Sequence, residues 1–206
     1  PLRWQEHVVW QSDVPERQLT GIPQALRAAS ATQPYIIGDL ASHSAVFRRM
    51  ILDARCHRIA EALLDTESVC HFSHATIRAA NGGCACNWHR DWPNSYCTTH
   101  TGRQLRILIC LDGMQAEQGA TRVIRGSQHW NDQQFNTWKQ AGHPWDETGH
   151  AVTCPPGSVV VLGSRIVHSA GNNLSAVPRR NLIAQWGAQE DLICAQVFES
   201  VLGQTA

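Results

Sequence analysis

A histidine and an aspartate lie two positions apart in the segment CNWHRDWP, residues 86–93, which also holds two tryptophans. On a β-strand, His89 and Asp91 would point to the same face, because side chains alternate between the two faces, and Arg90 would point to the other. An imidazole and a carboxylate on one face form half of a site for a divalent metal ion. The remaining ligands must then come from elsewhere in the chain.

His168 is the histidine whose surroundings best suit a further ligand. It ends the segment PPGSVVVLGSRIVH, residues 155–168, in which a Pro-Pro-Gly turn leads into an almost wholly apolar run. After a second turn at residues 163–164, we expect His168 to lie at the end of a strand. A polar loop follows, and the next predicted strand starts with Arg179 and Arg180. Because neighbouring strand residues point to opposite faces, at most one of these arginines faces inward.

His89, Asp91 and His168 together form a set of two histidines and one carboxylate, which is the ligand set of non-haem Fe(II) oxygenases. Three protein ligands on one face of an octahedron leave three positions open, enough for a chelating 2-oxo acid and for O2. One anionic and two neutral ligands leave a ferrous ion with a net positive charge, which suits an anionic co-substrate. The far carboxylate of that co-substrate needs a fixed cation, and arginine offers a planar, two-pronged partner.

Short apolar runs separated by glycine, proline and asparagine dominate the chain after residue 66, and they predict many strands with few helices between them. This pattern is typical of a sandwich or barrel. Before that point, periodic apolar residues predict a mainly helical part, and residues 128–152 are interpreted as a long excursion of the kind that often covers a site. The predicted helices are residues 23–30 and 42–65, and the predicted strands are residues 68–73, 84–91, 104–111, 120–124, 158–163, 165–168 and 180–188.

Composition and charge argue against several classes of protein. The 206 residues carry 17 basic and 17 acidic side chains, a balance that gives no support for a nucleic-acid partner or an anionic membrane surface. No apolar run approaches the roughly 20 residues that span a bilayer, and no signal-peptide pattern opens the chain. We therefore expect a cytoplasmic protein with free thiols at its eight cysteines and a small-molecule partner. We expect one domain over residues 1–206, with a mainly helical part over 1–65 and a β core over 66–190; the oligomeric state stays open.

Three segments resemble the phytanoyl-CoA dioxygenase family of Fe(II)- and 2-oxoglutarate-dependent enzymes. They are WHRDWP, residues 88–93, LICLDGMQAEQGATRVIRGSQHW, residues 108–130, and PPGSVVVLGSRIVHSAGNNLSAVPRR, residues 155–180. In that family an arginine follows the second histidine by eleven residues, which is the spacing from His168 to Arg179. The order and spacing of these segments make the resemblance specific.

The resemblance implies a mainly β fold, a double-stranded β-helix of the jelly-roll or cupin-like kind with flanking α-helices. It implies Fe(II), 2-oxoglutarate and O2 as cofactor and co-substrates. Iron would be held by His89, Asp91 and His168, and 2-oxoglutarate by Arg179. The side chains expected to line the substrate pocket are those of His74, Arg78, Trp88, Trp92 and His100.

The activity implied by the resemblance is hydroxylation of a C–H bond in a small metabolite or natural product, with release of succinate and CO2. The same ligands also support desaturation, epoxidation or ring formation, and the residues do not identify the substrate. In related halogenases the carboxylate ligand is replaced so that chloride binds iron, so Asp91 argues against halogenation.

Other classes of site stay open at the level of sequence. The pairs Cys86/His89 and Cys97/His100 have the spacing of a structural zinc site, although that site would leave Asp91 without a role. The barrel could also serve as a non-catalytic binding module, or as a cupin-like metalloenzyme that needs no 2-oxo acid.

Overall fold

The computed structural model describes residues 35–38, 40–82, 86–93, 97–144 and 147–194. The α-helices in these ranges are α1 (Leu40–His43), α2 (Ala45–Ile51), α3 (Ala54–Leu64) and α4 (Asp132–Gln140). The strands are β1 (Tyr35–Gly38), β2 (Ser68–Arg78), β3 (Cys86–His89), β4 (Cys97–Thr99), β5 (Gln104–Cys110), β6 (Thr121–Val123), β7 (His150–Ala151), β8 (Ser158–Gly163), β9 (His168–Ala170), β10 (Arg179–Ala188) and β11 (Leu192–Cys194). Within the described part of the chain, every helix is too short or too polar to span a lipid bilayer.

The helical segment predicted over residues 42–65 is divided into separate helices. Ser44 and Asp53 interrupt it because each caps a new helix: Ser44 Oγ accepts a hydrogen bond from the amide two residues later at 3.2 Å, and Asp53 Oδ1 does the same at 2.9 Å. Asp65 ends α3 in the left-handed conformation, with a φ of 52°. The helix predicted over residues 23–30 lies outside the described residues.

The larger sheet is antiparallel and has the strand order β1–β2–β10–β5–β8. β10 lies at its centre, paired with β2 on one side and with β5 on the other. Because side chains alternate along each strand, one face of this sheet packs on the helices and the other faces inward. The buried residues of the outer core are Leu40, Met50, Ile51, Cys56, Ala60, Ala75, Leu105, Ile107, Ile109, Leu182, Ala184 and Trp186.

A smaller sheet with the order β3–β9–β6–β7 faces the inner side of the larger one, and β11 pairs with β4. Two antiparallel sheets packed in this way form the double-stranded β-helix, so the predicted fold class is confirmed. The buried apolar residues of the inner cluster are Leu108, Cys110, Met114, Ala120, Leu162 and Ile183.

Several predicted element boundaries are wrong. The segment predicted as mainly helical contains β1, which pairs with β2 at the edge of the larger sheet. His168 begins β9 and does not end a strand over residues 165–168, because Ile166 N donates to Gly163 O at 3.1 Å and closes a turn there. The short strands β4, β7 and β11 were not predicted, since runs of two or three residues show no alternation.

Gly119 is a position where the fold requires glycine. It has a φ of +68°, and a Cβ there would collide with the carbonyl oxygen of Gly171 and lie 2.6 Å from that of Asn172. Gly126 also has a positive φ, +83°, but no atom lies within 4 Å of its Cβ position. The two glycines therefore share the backbone constraint and differ in the space around them.

We expect Gly119→Ala to lower the free energy of unfolding by about 3 kcal/mol, because left-handed strain of about 1–2 kcal/mol adds to overpacking of about 1–3 kcal/mol. Gly126→Ala, the matched control, should lower it by about 1 kcal/mol through strain alone. Chemical denaturation of both variants measures the difference. Equal losses would mean that the backbone of residues 171–172 moves aside at little cost.

Candidate metal centre

His89, Asp91 and His168 bring their ligand atoms together between the two sheets. His89 Nε2 lies 3.8 Å from Asp91 Oδ1, and His168 Nε2 lies 3.7 Å from Asp91 Oδ2. All the ligand atoms lie within 4.8 Å of one another. Asp91 and His168 are buried, while His89 is partly open to solvent. Among the residues that the structure describes, this is the one cluster of histidine, cysteine and carboxylate groups that could hold a metal ion.

Strand pairing sets the two histidines side by side. β3 and β9 are antiparallel neighbours in which His89 lies opposite His168, and the ring centroids are 4.2 Å apart. The strand predicted over residues 84–91 ends at His89, and the Asp91 amide donates instead to Ser164 O at 3.1 Å. Asp91 therefore reaches the site from a bend after the strand and not by strand alternation.

Contacts of the second ring nitrogen select the tautomer of each histidine. His89 Nδ1 lies 2.7 Å from the carbonyl oxygen of Asn87, and His168 Nδ1 lies 3.0 Å from that of Ile166. A carbonyl oxygen only accepts, so each Nδ1 carries the hydrogen and each Nε2 presents its lone pair towards Asp91. Two imidazole nitrogens and a carboxylate suit a divalent ion such as Fe(II), and backbone contacts of this kind are usual behind metal-bound histidines.

Arg106 faces the cluster from the larger sheet, and the sequence analysis missed it. Its Nη1 lies 2.9 Å from Asp91 Oδ1, and the two side chains are 12% and 2% exposed. Arg106 lies on β5, whose other residues are mostly apolar and buried. This contrast was the available signal, because a buried guanidinium requires a partner.

His74 lies on β2 near the same ion pair and is buried, at 8% exposure. Burial and the positive charge of Arg106 lower its pKa to about 3, while the negative charge of Asp91 acts in the opposite direction. The ring is therefore neutral near pH 7. Its Nδ1 has no hydrogen-bond partner among the described residues, so it can interact with a molecule bound in the barrel.

Two arginines lie together at the other end of the inner face. Arg179 on β10 pairs in register with Arg78 on β2. Arg179 Nε donates to Gln118 O at 3.1 Å, and its Nη2 donates to Gly119 O at 2.8 Å. Burial and the charge of Arg78 lower the pKa of Arg179 to about 9, which leaves this side chain charged at neutral pH.

Arg180 points to the opposite face from Arg179, as strand alternation requires. Its Nε donates to Asp112 Oδ2 at 2.7 Å, and its backbone amide donates to the same oxygen at 2.8 Å. The structure thus places one arginine of the pair inside the barrel and the other in an ion pair outside it.

Trp88 and Arg90 point away from the metal cluster. They form hydrogen bonds with residues 130–143, in the long segment after β6 that contains α4. Trp88 Nε1 donates to His143 O at 3.1 Å, and its ring packs edge-on against Trp138 of α4. Arg90 is buried and donates to Trp130 O at 2.8 Å. Trp88 therefore contacts the segment of α4 on the side of β3 away from the metal cluster, and its predicted place in the substrate pocket stays a prediction. Arg90 does point away from the site, but it is a buried anchor for α4.

Trp92 and His100 lie in the segments that follow β3 and β4. Trp92 Nε1 donates to Thr99 O at 2.6 Å, and the Arg165 guanidinium lies 4.3 Å from the centre of its ring. His100 is exposed and its backbone amide donates to Asp191 O at 3.0 Å. Of the predicted pocket residues, His74 and Arg78 thus have inward positions, and His100 does not.

The zinc site suggested by cysteine spacing is not formed by the residues that the structure describes. Cys86 Sγ lies 3.7 Å from His89 Nδ1, on the side of the ring away from the ligand cluster. Neither Cys86 nor His100 belongs to that cluster. The side chain of Cys97 is not among the side chains that the structure describes.

The sequence matches a known family and a curated relative. The model of the family Phytanoyl-CoA dioxygenase (PhyH) matches residues 27–181. The chain is 31% identical over 157 residues to Dioxygenase trt7 of Aspergillus terreus (strain NIH 2624 / FGSC A1156), an alignment that covers 71% of this chain and 51% of the relative. This chain therefore spans about half the length of that protein.

Solved structures share the fold at lower identity. The epimerase SnoN, crystallised with Fe3+, alpha ketoglutarate and nogalamycin RO, superposes with a TM-score of 0.66 at 17% identity, over 94% of this chain and 84% of SnoN. EctD from S. alaskensis, crystallised with 2-oxoglutarate and 5-hydroxyectoine, superposes with a TM-score of 0.64 at 22% identity, over 76% of this chain and 57% of EctD. Because the family model matches most of the sequence, this chain belongs to the phytanoyl-CoA dioxygenase family.

Proposed function

We propose that this protein is an Fe(II)- and 2-oxoglutarate-dependent dioxygenase. The observation that carries the proposal is the convergence of His89 Nε2, His168 Nε2 and the Asp91 carboxylate, all within 4.8 Å, between two packed sheets. Membership of the family supports it, and so do relatives of the same fold that were crystallised with iron and 2-oxoglutarate.

His89, Asp91 and His168 would hold the ferrous ion, which supplies the electrons for O2 activation when it is bound. In the proposed reaction, 2-oxoglutarate, O2 and a substrate with a C–H bond give succinate, CO2 and the corresponding alcohol. One oxygen atom of O2 enters succinate and the other enters the alcohol, so the reaction needs no further reductant. The Nδ1 contacts of both imidazoles leave their Nε2 atoms turned towards Asp91, where the ion would be held.

Arg179 would bind the far carboxylate of 2-oxoglutarate. Its described partners include carbonyl oxygens, which carry only partial charge, so a carboxylate would add the full counter-charge. Arg78, its partner in the register of β10 and β2, strengthens the positive potential at this end of the barrel. A dicarboxylate reaching from the metal cluster to this pair would therefore be favoured over a monocarboxylate.

Apolar residues of the inner face, between Arg106 and Arg179, would exclude water from the site of the reaction. The register of β10 with β5 places Ile183 opposite Leu108, between Arg106 at one end and Arg179 at the other. Both are buried, at 8% and 3% exposure. Neutral His74, which pairs in register with Ile183, offers a hydrogen-bonding group in this wall without adding charge.

Hydroxylation of a small metabolite or natural product is the outcome we propose. The fold also serves other outcomes, since SnoN, crystallised with Fe3+ and alpha ketoglutarate, is an epimerase. The choice depends on which substrate atom approaches the metal, and hence on the residues around His74 and Trp92. A panel of candidate metabolites, scored for a mass increase of one oxygen atom, separates hydroxylation from epimerisation or desaturation.

The proposed activity can be tested without knowing the substrate. Purified protein with Fe(II), 2-oxoglutarate and O2 should form succinate slowly, and anaerobic addition of 2-oxoglutarate to the Fe(II) protein should produce a weak visible absorption band. Loss of a residue that is hydrogen-bonded to a metal ligand typically lowers activity roughly 10–100-fold. Asp91→Asn should lower the rate of succinate formation by more than that, because it removes the anionic ligand itself. Circular dichroism should show an intact fold.

Asp112→Asn is the matched control, because Asp112 is a carboxylate paired with an arginine outside the barrel. It should keep wild-type turnover. Wild-type turnover in Asp91→Asn would contradict the proposed ligand set, and no succinate from the unmodified protein would contradict the proposed activity.

Arg179→Gln should weaken 2-oxoglutarate binding about ten- to hundredfold, since a hydrogen bond to a charged group contributes about 1.5–3 kcal/mol. Arg180→Gln should leave the affinity unchanged, because Arg180 is paired with Asp112 on the other face. Titration of 2-oxoglutarate into the metal-loaded variants measures both effects. A larger loss in Arg180→Gln would reverse the assignment of the two arginines.

Replacing Cys86 and Cys97 together with serine should leave the metal content near one ion per chain. The metal ligands proposed here include no thiolate, so the double variant keeps all of them. Metal analysis of purified protein gives the result, with His168→Ala as the variant that should lose the ion. Zinc present in the wild type and absent from the double serine variant would favour the cysteine site instead.

A further inference from the structure

We propose that Arg106 is a positioning residue that restricts Asp91 to metal binding through one oxygen. The inference rests on the metal site proposed above, and it adds a residue from the opposite sheet to that site. Arg106 would not contact the metal. It would act on the ligand that does.

The contact between the two side chains is direct and buried. Arg106 Nη1 lies 2.9 Å from Asp91 Oδ1, with the carboxylate 2% exposed. The other oxygen, Oδ2, lies 3.7 Å from His168 Nε2. Oδ1, the oxygen contacted by the guanidinium, also lies 3.8 Å from His89 Nε2, so both carboxylate oxygens face a histidine of the cluster and the arginine contact falls on one of them.

Neighbouring strands hold Arg106 in place. β5 is an internal strand of the larger sheet, and Arg106 pairs in register with Gln185 of β10 and Leu162 of β8. Its guanidinium lies 5.6 Å from the centre of the Phe72 ring. Because the backbone of Arg106 is paired on both sides and its guanidinium lies near an aromatic ring, the side chain can hold a carboxylate in one orientation.

The number of oxygens that Asp91 gives to the metal decides what else can bind there. A carboxylate can coordinate through one oxygen or through both. If Asp91 used both, it would occupy a position that 2-oxoglutarate or O2 requires. A guanidinium in ion-pair contact with Oδ1 at 2.9 Å would compete with coordination by that oxygen and so keep the position open.

Removal of this competition predicts that 2-oxoglutarate binding weakens while metal binding does not, a combination that a merely structural role would not produce. In Arg106→Gln, Co(II) should bind as tightly as in the wild type or several-fold more tightly, because Asp91 is no longer neutralised. The affinity of the Co(II)-loaded protein for 2-oxoglutarate should fall about tenfold or more, in the range seen when residues behind metal ligands are lost. The visible spectrum of bound Co(II) without 2-oxoglutarate should also change, because the ligand set changes.

Arg106→Lys, which keeps the charge but lacks the two-pronged geometry, should show smaller changes of the same sign. Arg180→Gln is the matched control, since it removes an arginine from an ion pair with Asp112 outside the barrel, and it should change none of the three readouts. The assay needs only Co(II), 2-oxoglutarate and an absorption spectrometer. No substrate is required.

Three results would overturn the inference. Weaker Co(II) binding in Arg106→Gln would show that Arg106 only supports the fold of the site. An unchanged Co(II) spectrum with weaker 2-oxoglutarate binding would show that Arg106 contacts the co-substrate itself. If the wild type bound no Co(II), the proposed metal site would fail together with this role.

Discussion

The carbonyl oxygen of Ser164 is the point on which the geometry of the site depends. It accepts hydrogen bonds from two consecutive amides, those of Asp91 at 3.1 Å and of the next residue at 3.0 Å. Ser164 lies in the turn between β8 and β9, so this contact ties the bend after β3 to the turn that leads into His168. Its own amide donates to Gln104 O at 3.3 Å, at the start of the strand that carries Arg106. One buried turn residue thus joins the segments that supply the ligands and the arginine beside them.

The four residues from Trp88 to Asp91 serve two sides of the smaller sheet at once. His89 and Asp91 face the barrel, while Trp88 and Arg90 bind the segment that contains α4. The excursion therefore packs behind β3, although its length suggested a cover over the site. Because Trp88 and Arg90 are the chain neighbours of His89 and Asp91, a shift of α4 would be transmitted to these two ligands through the backbone of residues 88–91.

Short apolar runs predicted a sandwich or barrel, and the resemblance to the family added the double-stranded β-helix. Residue types and spacing singled out His89, Asp91 and His168, whose side chains the structure brings together. The ends of the helices were harder to predict. The capping residues Ser44 and Asp53 are visible in the sequence, but the apolar periodicity continues across them. The placement of His89 opposite His168 on neighbouring strands depends on long-range register, which one sequence does not provide. To predict the contact between Arg106 and Asp91, one would have to know which strand of the larger sheet faces Asp91. The presence of Arg106 in an apolar strand indicated that it had a buried partner, but not which one.

The two ends of the barrel use arginine in different ways because the partners differ. Arg106 contacts a carboxylate, so the pair is close to neutral and contributes orientation rather than net charge. The described hydrogen bonds of Arg179 go to the carbonyl oxygens of Gln118 and Gly119 and to the Met114 sulfur, none of which carries a formal charge. The dielectric is low around both arginines, so an added anion interacts strongly with either of them. The electrostatic stabilisation is larger for a cation that contacts only neutral dipoles than for one that is already paired with a carboxylate. The two arginines therefore differ in charge balance. Arg106 is already paired with a carboxylate beside the ligand cluster, whereas Arg179, at the other end of the barrel, is stabilised further when an anion binds there.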